Sequence, residues 1–266
     1  MLAKKQFGQN FITDKNLIAK IVSLLGEDKN QLIIEIGPGQ GALTRLLIEK
    51  YQKVVAIEID KDLEEILKTK FNSDNFELIM GDVLDFDLTS FLNNIKNSYN
   101  RVSIISNLPY YITSEIIFKT FYNCDKLEKA IFMTQKEVAQ RITALVGENN
   151  YNNLSVAAEL FSTKKYEFTV KKQMFNPIPK VDSAIISLDF QNQKFKMPIS
   201  DKKVINEMTR QLFNNRRKTI YNNLGTYLGD KPKALKILQN LEIDPQKRPE
   251  VISSDEYVRI FENIRR

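Results

Sequence analysis

Short apolar runs recur through the first 190 residues, with stretches of helical spacing between them. Leu32–Ile36, Val54–Ile59, Phe76–Met80, Val102–Ser106 and Ala130–Met133 are nearly continuous in hydrophobic character rather than alternating. That pattern predicts parallel strands covered on both faces. Around them, Leu17, Ile18, Ile21, Val22, Leu24 and Leu25 recur at helical spacing, and a second helical pattern begins at Ala42. Leu63–Leu67, Ile112–Phe121, Val138–Leu145 and Asn153–Phe161 read as further helices. Tyr166–Val170 alternates like a strand. Ala184–Phe190 is the last strand, antiparallel if it returns to its neighbour through so short a connection as FNPIPKVDS. Around residues 191–200 the chain turns polar, and from there the pattern is helical: Val204–Leu212, Thr219–Leu228, Ala234–Leu241 and Tyr257–Ile264. The pattern predicts an α/β domain over residues 1–190 and a small all-α domain over 191–266.

Composition narrows the chemistry. The chain of 266 residues contains no histidine, so His-based catalysis is ruled out and a metal site is not expected. One cysteine, Cys124, cannot form an internal disulfide, which fits a reducing cytoplasm. Lys4 and Lys5 precede polar FGQN rather than an apolar run, and no stretch has the length and character of a membrane span, so neither secretion nor a membrane partner is expected. The charge is uneven: residues 1–190 hold 23 Lys+Arg against 24 Asp+Glu, and residues 191–266 hold 16 against 9. The whole basic excess lies in the last quarter. Such asymmetry fits either a polyanionic partner or a solvated helical surface.

The chemistry centres on LIIEIGPGQGALT, Leu32–Thr44. A strand, a glycine turn and a helix open a nucleotide-binding βαβ unit. Gly37, Gly39 and Gly41 give G-x-G-x-G, not the dinucleotide G-x-G-x-x-G. Glu35, just before the turn, would repel a pyrophosphate. A cationic or zwitterionic ligand such as S-adenosylmethionine fits better. Glu58 closes the second strand 17 residues past Gly41, where nucleotide folds place an acid on the ribose hydroxyls. Gly81-Asp82 follows the third strand, and Asp82 is placed to accept from an adenine amine.

Asn107-Leu108-Pro109-Tyr110 ends the fourth strand, on the same carboxyl edge as the glycine turn. Pro109 biases Leu108 to an extended backbone, which lets its carbonyl face the cleft. The Asn107 side-chain oxygen is a second acceptor and Tyr110 offers a ring face. Two acceptors beside an aromatic plane suit an exocyclic amine on a flat base. Phe175 either stacks on a flipped base or anchors the proline loop as a core residue. Near the N-terminus, Gln9 and Asn10 either reach a ligand or belong to a segment packed on the sheet by Phe7 and Phe11. Arg216, Arg217 and Lys218, in LFNNRRKTIYNNL, are expected on one helix where they can grip phosphates.

Taken together, FGQNF, EIGPGQGALT, Glu58, Gly81-Asp82, NLPY, FNPIPKVDS and LFNNRRKT stand in one order across nearly the whole chain. That series resembles the bacterial small-subunit (16S) ribosomal RNA adenine N6,N6-dimethyltransferases, the kasugamycin-resistance family. The resemblance implies a Rossmann-like class I methyltransferase domain with a seven-stranded mixed sheet, plus a small helical domain that binds RNA. It implies S-adenosylmethionine as cofactor, no metal, and a monomer acting on small-subunit RNA or the precursor subunit. The cofactor set it implies is Gln9, Asn10, Ile12, Glu35, Gly37, Gly39, Gly41, Glu58, Ile59, Asp82, Val83 and Asn107. Asn107 is shared with the catalytic tetrapeptide. Where the family usually has Tyr-Gly-Arg-Leu-Ser, this chain has Tyr151-Asn152-Asn153-Leu154-Ser155. Three alternatives are a macrolide-resistance type large-subunit RNA methyltransferase, a ribosome-assembly or transcription factor that keeps the fold without catalysis, and a nicotinamide dehydrogenase, which the glycine spacing and NLPY disfavour. VDSA and RRKT favour the small-subunit enzyme over the first. An intact NLPY and glycine turn disfavour the second.

Overall fold

A computed structural model of the protein describes residues 11–95 and 98–265. The apolar runs form one seven-stranded sheet: β1 Gln31–Ile36, β2 Lys53–Glu58, β3 Phe76–Met80, β4 Arg101–Asn107, β5 Lys129–Gln135, β6 Thr163–Val170 and β7 Ser183–Asp189. Their spatial order is β3-β2-β1-β4-β5-β7-β6. The first five are parallel, and β7 runs antiparallel to β5. Every residue of β1 is buried, which is why its sequence does not alternate.

Helices α1 Lys15–Ser23, α2 Thr44–Lys50, α3 Glu64–Lys70, α4 Leu88–Ile95 and α5 Thr113–Phe121 connect these strands. The Asp14 carboxylate caps α1 by accepting from the Leu17 N–H at 2.7 Å. Ile21 and Val22 of α1, with Leu43 and Leu47 beside the glycine turn, share one core cluster with Ile33, Val54 and Ile105 of the sheet. Helix α4 is not anticipated by the apolar pattern. A second ladder of two residues per strand pairs Phe11 with Asn176 and Ile12 with Phe175.

Register positions the site. Ile36 is level with Ile57 on one side and Ser106 on the other. The next residue of each strand or turn is Gly37, Glu58 and Asn107. Glu58 is level with Met80, so Gly81 and Asp82 follow at the same edge. The ladder continues past the strands: Gly37 N–H donates to Ile57 O, Gly81 N–H to Glu58 O and Leu108 N–H to Met133 O, all within 2.9 Å.

Contacts divide the chain into two units. One runs to Ala139 and resumes over Lys164–Asn192; the other is Gln140–Thr163 with Gln193–Arg266. The break expected after residue 190 lies beside the last crossing, but residues 140–163, expected in the first domain, join the helical unit. Helix α6, Lys136–Thr143, spans the first crossing. The helical unit further holds α7 Asn153–Phe161, α8 Ile199–Phe213, α9 Ile220–Leu228, α10 Lys231–Asn240 and α11 Ser254–Arg265. Fully buried Tyr151 explains the membership of 140–163: its hydroxyl donates to Ile252 O at 3.1 Å and its ring meets Phe213 at 6.3 Å. The sequence departure at Asn152 is accommodated by a capping box. Asn152 Oδ1 accepts from the Leu154 N–H at 2.8 Å, and Ser155 Oγ accepts from the Asn152 N–H at 3.0 Å. No helix among the described residues is long and apolar enough to cross a membrane.

Candidate active site

The glycine turn joins β1 to α2 with Gly37, Gly39 and Gly41 all at positive φ, a conformation L side chains avoid. At Gly41 a Cβ would also stand 2.2 Å from the Phe71 ring, so both backbone and packing demand glycine there. Around this turn lies a cleft open to solvent. Its wall brings together Ile12, Glu35, Gly37, Gly39, Glu58, Ile59, Asp82, Val83 and the whole of Asn107-Leu108-Pro109-Tyr110. All but Ile12, which belongs to the two-residue ladder, come from four strand ends and are gathered by the register described above. Gln9 and Asn10 lie outside the described residues. Gly41 does not stand among the lining residues; it shapes the turn by donating its N–H to Pro38 O at 2.8 Å.

Three acids, Glu35, Glu58 and Asp82, line the cleft, and no lysine or arginine stands with them among the described residues. This wall opposes a pyrophosphate and suits a ligand with cationic and hydrogen-bond-donating groups. Glu58 is buried at the end of β2. Its Oε2 accepts from the Gly39 N–H and its Oε1 from the Asp60 N–H. Burial pushes its pKa up against the lowering effect of these bonds. Glu35 is 1% exposed, and burial raises its pKa to about 7 despite the hydrogen bond from Thr44. The nearby Glu58 charge pushes in the same direction as burial. Asp82 Oδ1 accepts from the Leu84 N–H at 2.8 Å, which fixes the carboxylate after β3.

At the end of β4, Leu108 is buried and its N–H is held by Met133 O. Pro109 O accepts from the Thr113 hydroxyl at 3.0 Å, which ties the tetrapeptide to the start of α5. The Tyr110 hydroxyl lies 2.8 Å from Ser183 Oγ on β7, so the ring is anchored at its far end. Burial raises the Tyr110 pKa, keeping the phenol neutral. Sequence reasoning missed Ser183, because 73 residues separate it from Tyr110 and no local signal links them. Tyr111, half-exposed and lining the same cleft, was missed although it adjoins the tetrapeptide.

Phe175 does not join the lining residues. It is 3% exposed, paired with Ile12 and packed in the core cluster with Val170 and Ile185. Its surroundings correspond to the core-anchor reading rather than the stacking one. Arg216, Arg217 and Lys218 are brought together, but not on a helix: α8 ends at Phe213 and α9 begins at Ile220. The connection is held by the Asn223 side-chain amide, which donates to Asn215 O and Lys218 O, and by Thr219, whose hydroxyl caps α9. Those tertiary bonds override the helical propensity of the string. Arg216 is tied to Glu250 at 3.5 Å and donates to Tyr151 O, while Arg217 and Lys218 are exposed.

Known proteins resemble this chain in sequence and in fold. The family model for ribosomal RNA adenine dimethylase matches residues 1–266. The chain is 60% identical to ribosomal RNA small subunit methyltransferase A of Mesoplasma florum over 99% of this chain and 98% of that one. It is 42% identical to the protein of the same name in Fusobacterium nucleatum, over 97% and 96% of the two chains. Among solved structures, a dimethyladenosine transferase from Plasmodium falciparum superposes with a TM-score of 0.77 at 26% identity, covering 94% of this chain and 95% of that chain. The 23S rRNA methyltransferase ErmE shares the fold, with a TM-score of 0.73 at 24% identity over 97% of this chain and 100% of its own. The full-length match and these relatives establish that this chain belongs to the ribosomal RNA adenine dimethylase family.

Proposed function

We propose that this protein uses S-adenosylmethionine to convert two adjacent adenosines in the 3′-terminal hairpin of small-subunit ribosomal RNA to N6,N6-dimethyladenosine. One observation carries the reading: the acid-lined cleft over the glycine turn opens directly onto Asn107-Leu108-Pro109-Tyr110. The donor set fits the cofactor. Glu58 would hold the ribose hydroxyls, Asp82 the adenine amine, Ile59 and Val83 the faces of the base, and Glu35 the cationic end. S-adenosylmethionine supplies a methyl group on a cationic sulfur, ready for in-line displacement.

The chain's own part is alignment. Asn107 and the Leu108 carbonyl accept from the target amine, from both N–H groups before the first transfer and from the remaining one before the second, which favours a pyramidal nitrogen and frees its lone pair; the proton displaced by each methyl group passes to water. Tyr110, anchored through Ser183, offers its face to the base. Holding the amine in line with the methyl group supplies most of the rate enhancement. The exposed Arg217 and Lys218, with Arg216 beside them, would contact ribosomal RNA phosphates. The basic excess of residues 191–266 supports that role for the helical unit.

The test is to incubate the protein with methyl-labelled S-adenosylmethionine and unmodified small subunits, then map the label. Two dimethylated neighbours in the 3′-terminal hairpin are expected. Label confined to large-subunit RNA in a parallel reaction would point to the macrolide-resistance type, and no label in either RNA would leave a binding factor.

A further inference from the structure

Thr44 is the first residue of α2 and is fully buried. The residue before it, Leu43, supplies no side-chain cap to the helix. The Thr44 hydroxyl is committed elsewhere: it donates to Glu35 Oε2 at 2.6 Å. The Thr44 backbone N–H supports the same carboxylate. A threonine at this position could serve its own helix terminus. Here it reaches back to a buried acid on β1 that lines the cleft.

The surroundings of Glu35 explain what that bond does. On β2 the residue level with it is Ala56, and on β4 it is Ile105, so neither neighbouring strand offers a charge there. Glu58, at the end of β2, presents a like charge. From α2 comes Thr44 alone. No lysine or arginine stands among the described lining residues. A buried carboxylate with hydrogen-bond donors but no countercharge is poised between its two protonation states, and burial accordingly brings its pKa to about 7.

We propose that Thr44 and Glu35 act as one unit that couples cofactor binding to a proton: Thr44 is the positioning residue that aims the carboxylate, and Glu35 gives up its proton as the cationic end of S-adenosylmethionine enters. This rests on the cofactor reading above. The step is a simple ionisation. The O–H bond of the Glu35 carboxyl breaks, the proton passes to the buffer, and no covalent bond to the ligand forms. The cation lowers the Glu35 pKa, and by linkage affinity weakens as pH falls below neutrality. Protons are released on binding near pH 7 and not in alkaline solution.

The experiment is calorimetric titration of S-adenosylmethionine into the full chain across neutral pH, in two buffers of different ionisation heat. The expected result is a Glu35 release of about half a proton per site at pH 7, rising toward one as pH falls below that value, with affinity several-fold weaker at the acid end. The ligand amine titrates too, with the opposite sign: a carboxylate beside it raises its pKa, so it takes up protons on binding and does not release them. Glu35→Gln should abolish the protein's share of the release and flatten the pH profile at a low affinity. Thr44→Val should move the midpoint to higher pH, because the bond it deletes favours the ionised form, and Thr44→Ser should restore it. A purely structural threonine predicts a lower melting temperature with an unmoved midpoint, and that result overturns the proposal. Release that survives Glu35→Gln and disappears in Glu58→Gln overturns it as well. Absence of binding by the wild type at every pH removes the cofactor reading itself, and this inference with it. Should Thr44→Val not fold, the wild type and Glu35→Gln decide the matter.

Discussion

Gly39 and Glu58 are joined across the cleft: the Gly39 N–H donates to Glu58 Oε2 at 3.1 Å, over a separation of 19 residues. The second oxygen of the same carboxylate accepts from the Asp60 N–H at 2.9 Å. The acid that is placed to hold a ribose therefore also holds the turn over which the ligand lies. The spacing of glycines and acid foretells the first role and is silent on the second.

Glu58→Ala removes both roles. S-adenosylmethionine affinity should fall by about 1.5–3 kcal/mol, the scale for hydrogen bonds to a charged group. Glu58→Gln keeps one acceptor oxygen and should lose less. Calorimetric affinities equal to wild type in both variants would remove Glu58 from the site.

The ligand-free chain should lose stability as pH rises through neutrality. Glu35 has an ordinary value of 4.5 and a folded one of about 7. Between these values the carboxyl is protonated in the fold and ionised in the unfolded chain, so each rise in pH favours unfolding. Its contribution is complete below the lower value and is lost as pH climbs through the upper one. The loss amounts to about 3 kcal/mol at most, at roughly 1.4 kcal/mol per unit. Melting temperatures measured between about pH 5 and about pH 8 should fall in the wild type and stay nearly flat in Glu35→Gln, apart from a smaller slope of the same sign from Glu58.

Asn107→Ala takes away one acceptor at the end of β4 while the Leu108 N–H bond to Met133 O is retained. Single-turnover methylation of unmodified subunits should slow by roughly a hundredfold, the scale for deleting one preorganised polar group. The melting temperature should scarcely move. A wild-type rate would show that this asparagine does not align the amine.

The three basic residues between α8 and α9 should separate into two kinds. Arg217→Ala with Lys218→Ala should weaken subunit binding and lower its salt slope by roughly 0.7–0.9 for each phosphate left without its cation. Stability should stay as it was, since both side chains are exposed. Arg216→Ala should lower the melting temperature as well, because it breaks the ties to Glu250 and Tyr151. Binding isotherms at several salt concentrations, run beside melting curves, distinguish the two effects.

Asn152→Ala should cost about 1 kcal/mol of stability by deleting the cap of α7, and Asn152→Gly only a few tenths. Cofactor affinity should be the same in both. A large difference in melting temperature between Asn152→Gly and wild type would mean that the asparagine does more than cap.

The parallel half of the sheet was legible because burial on both faces leaves near-continuous apolar runs, each ended by a glycine or a polar residue. Leu88–Ile95 escaped because DLTSFLNNI mixes caps and amides and resembles a loop, although Leu88 and Leu92 one turn apart are both buried. LFNNRRKTIYNNL contains neither glycine nor proline, and its helix is interrupted where the Asn223 amide bonds Asn215 and Lys218 and where Thr219 caps α9. The acids and NLPY were legible because strand ends mark themselves. The Tyr110–Ser183 bond and the placement of Phe175 were not, since both depend on partners distant in the chain. The allegiance of residues 140–163 was hidden for the same reason: Tyr151 finds its partner 101 residues away.

That allegiance bears on how the protein can be dissected. The chain passes between its two units three times, after Ala139, Thr163 and Asn192. A cut at the last passage would strip the C-terminal helices of α7, which packs on α8 and α11 and buries Leu154, Val156, Leu160 and Phe161. The N-terminal fragment would carry that helix away with its apolar side bared, a surface prone to self-association. The helical unit is therefore not a detachable tail. Grafting it onto a relative requires two splices made together, so that recombination at a single point yields hybrids with a mismatched core.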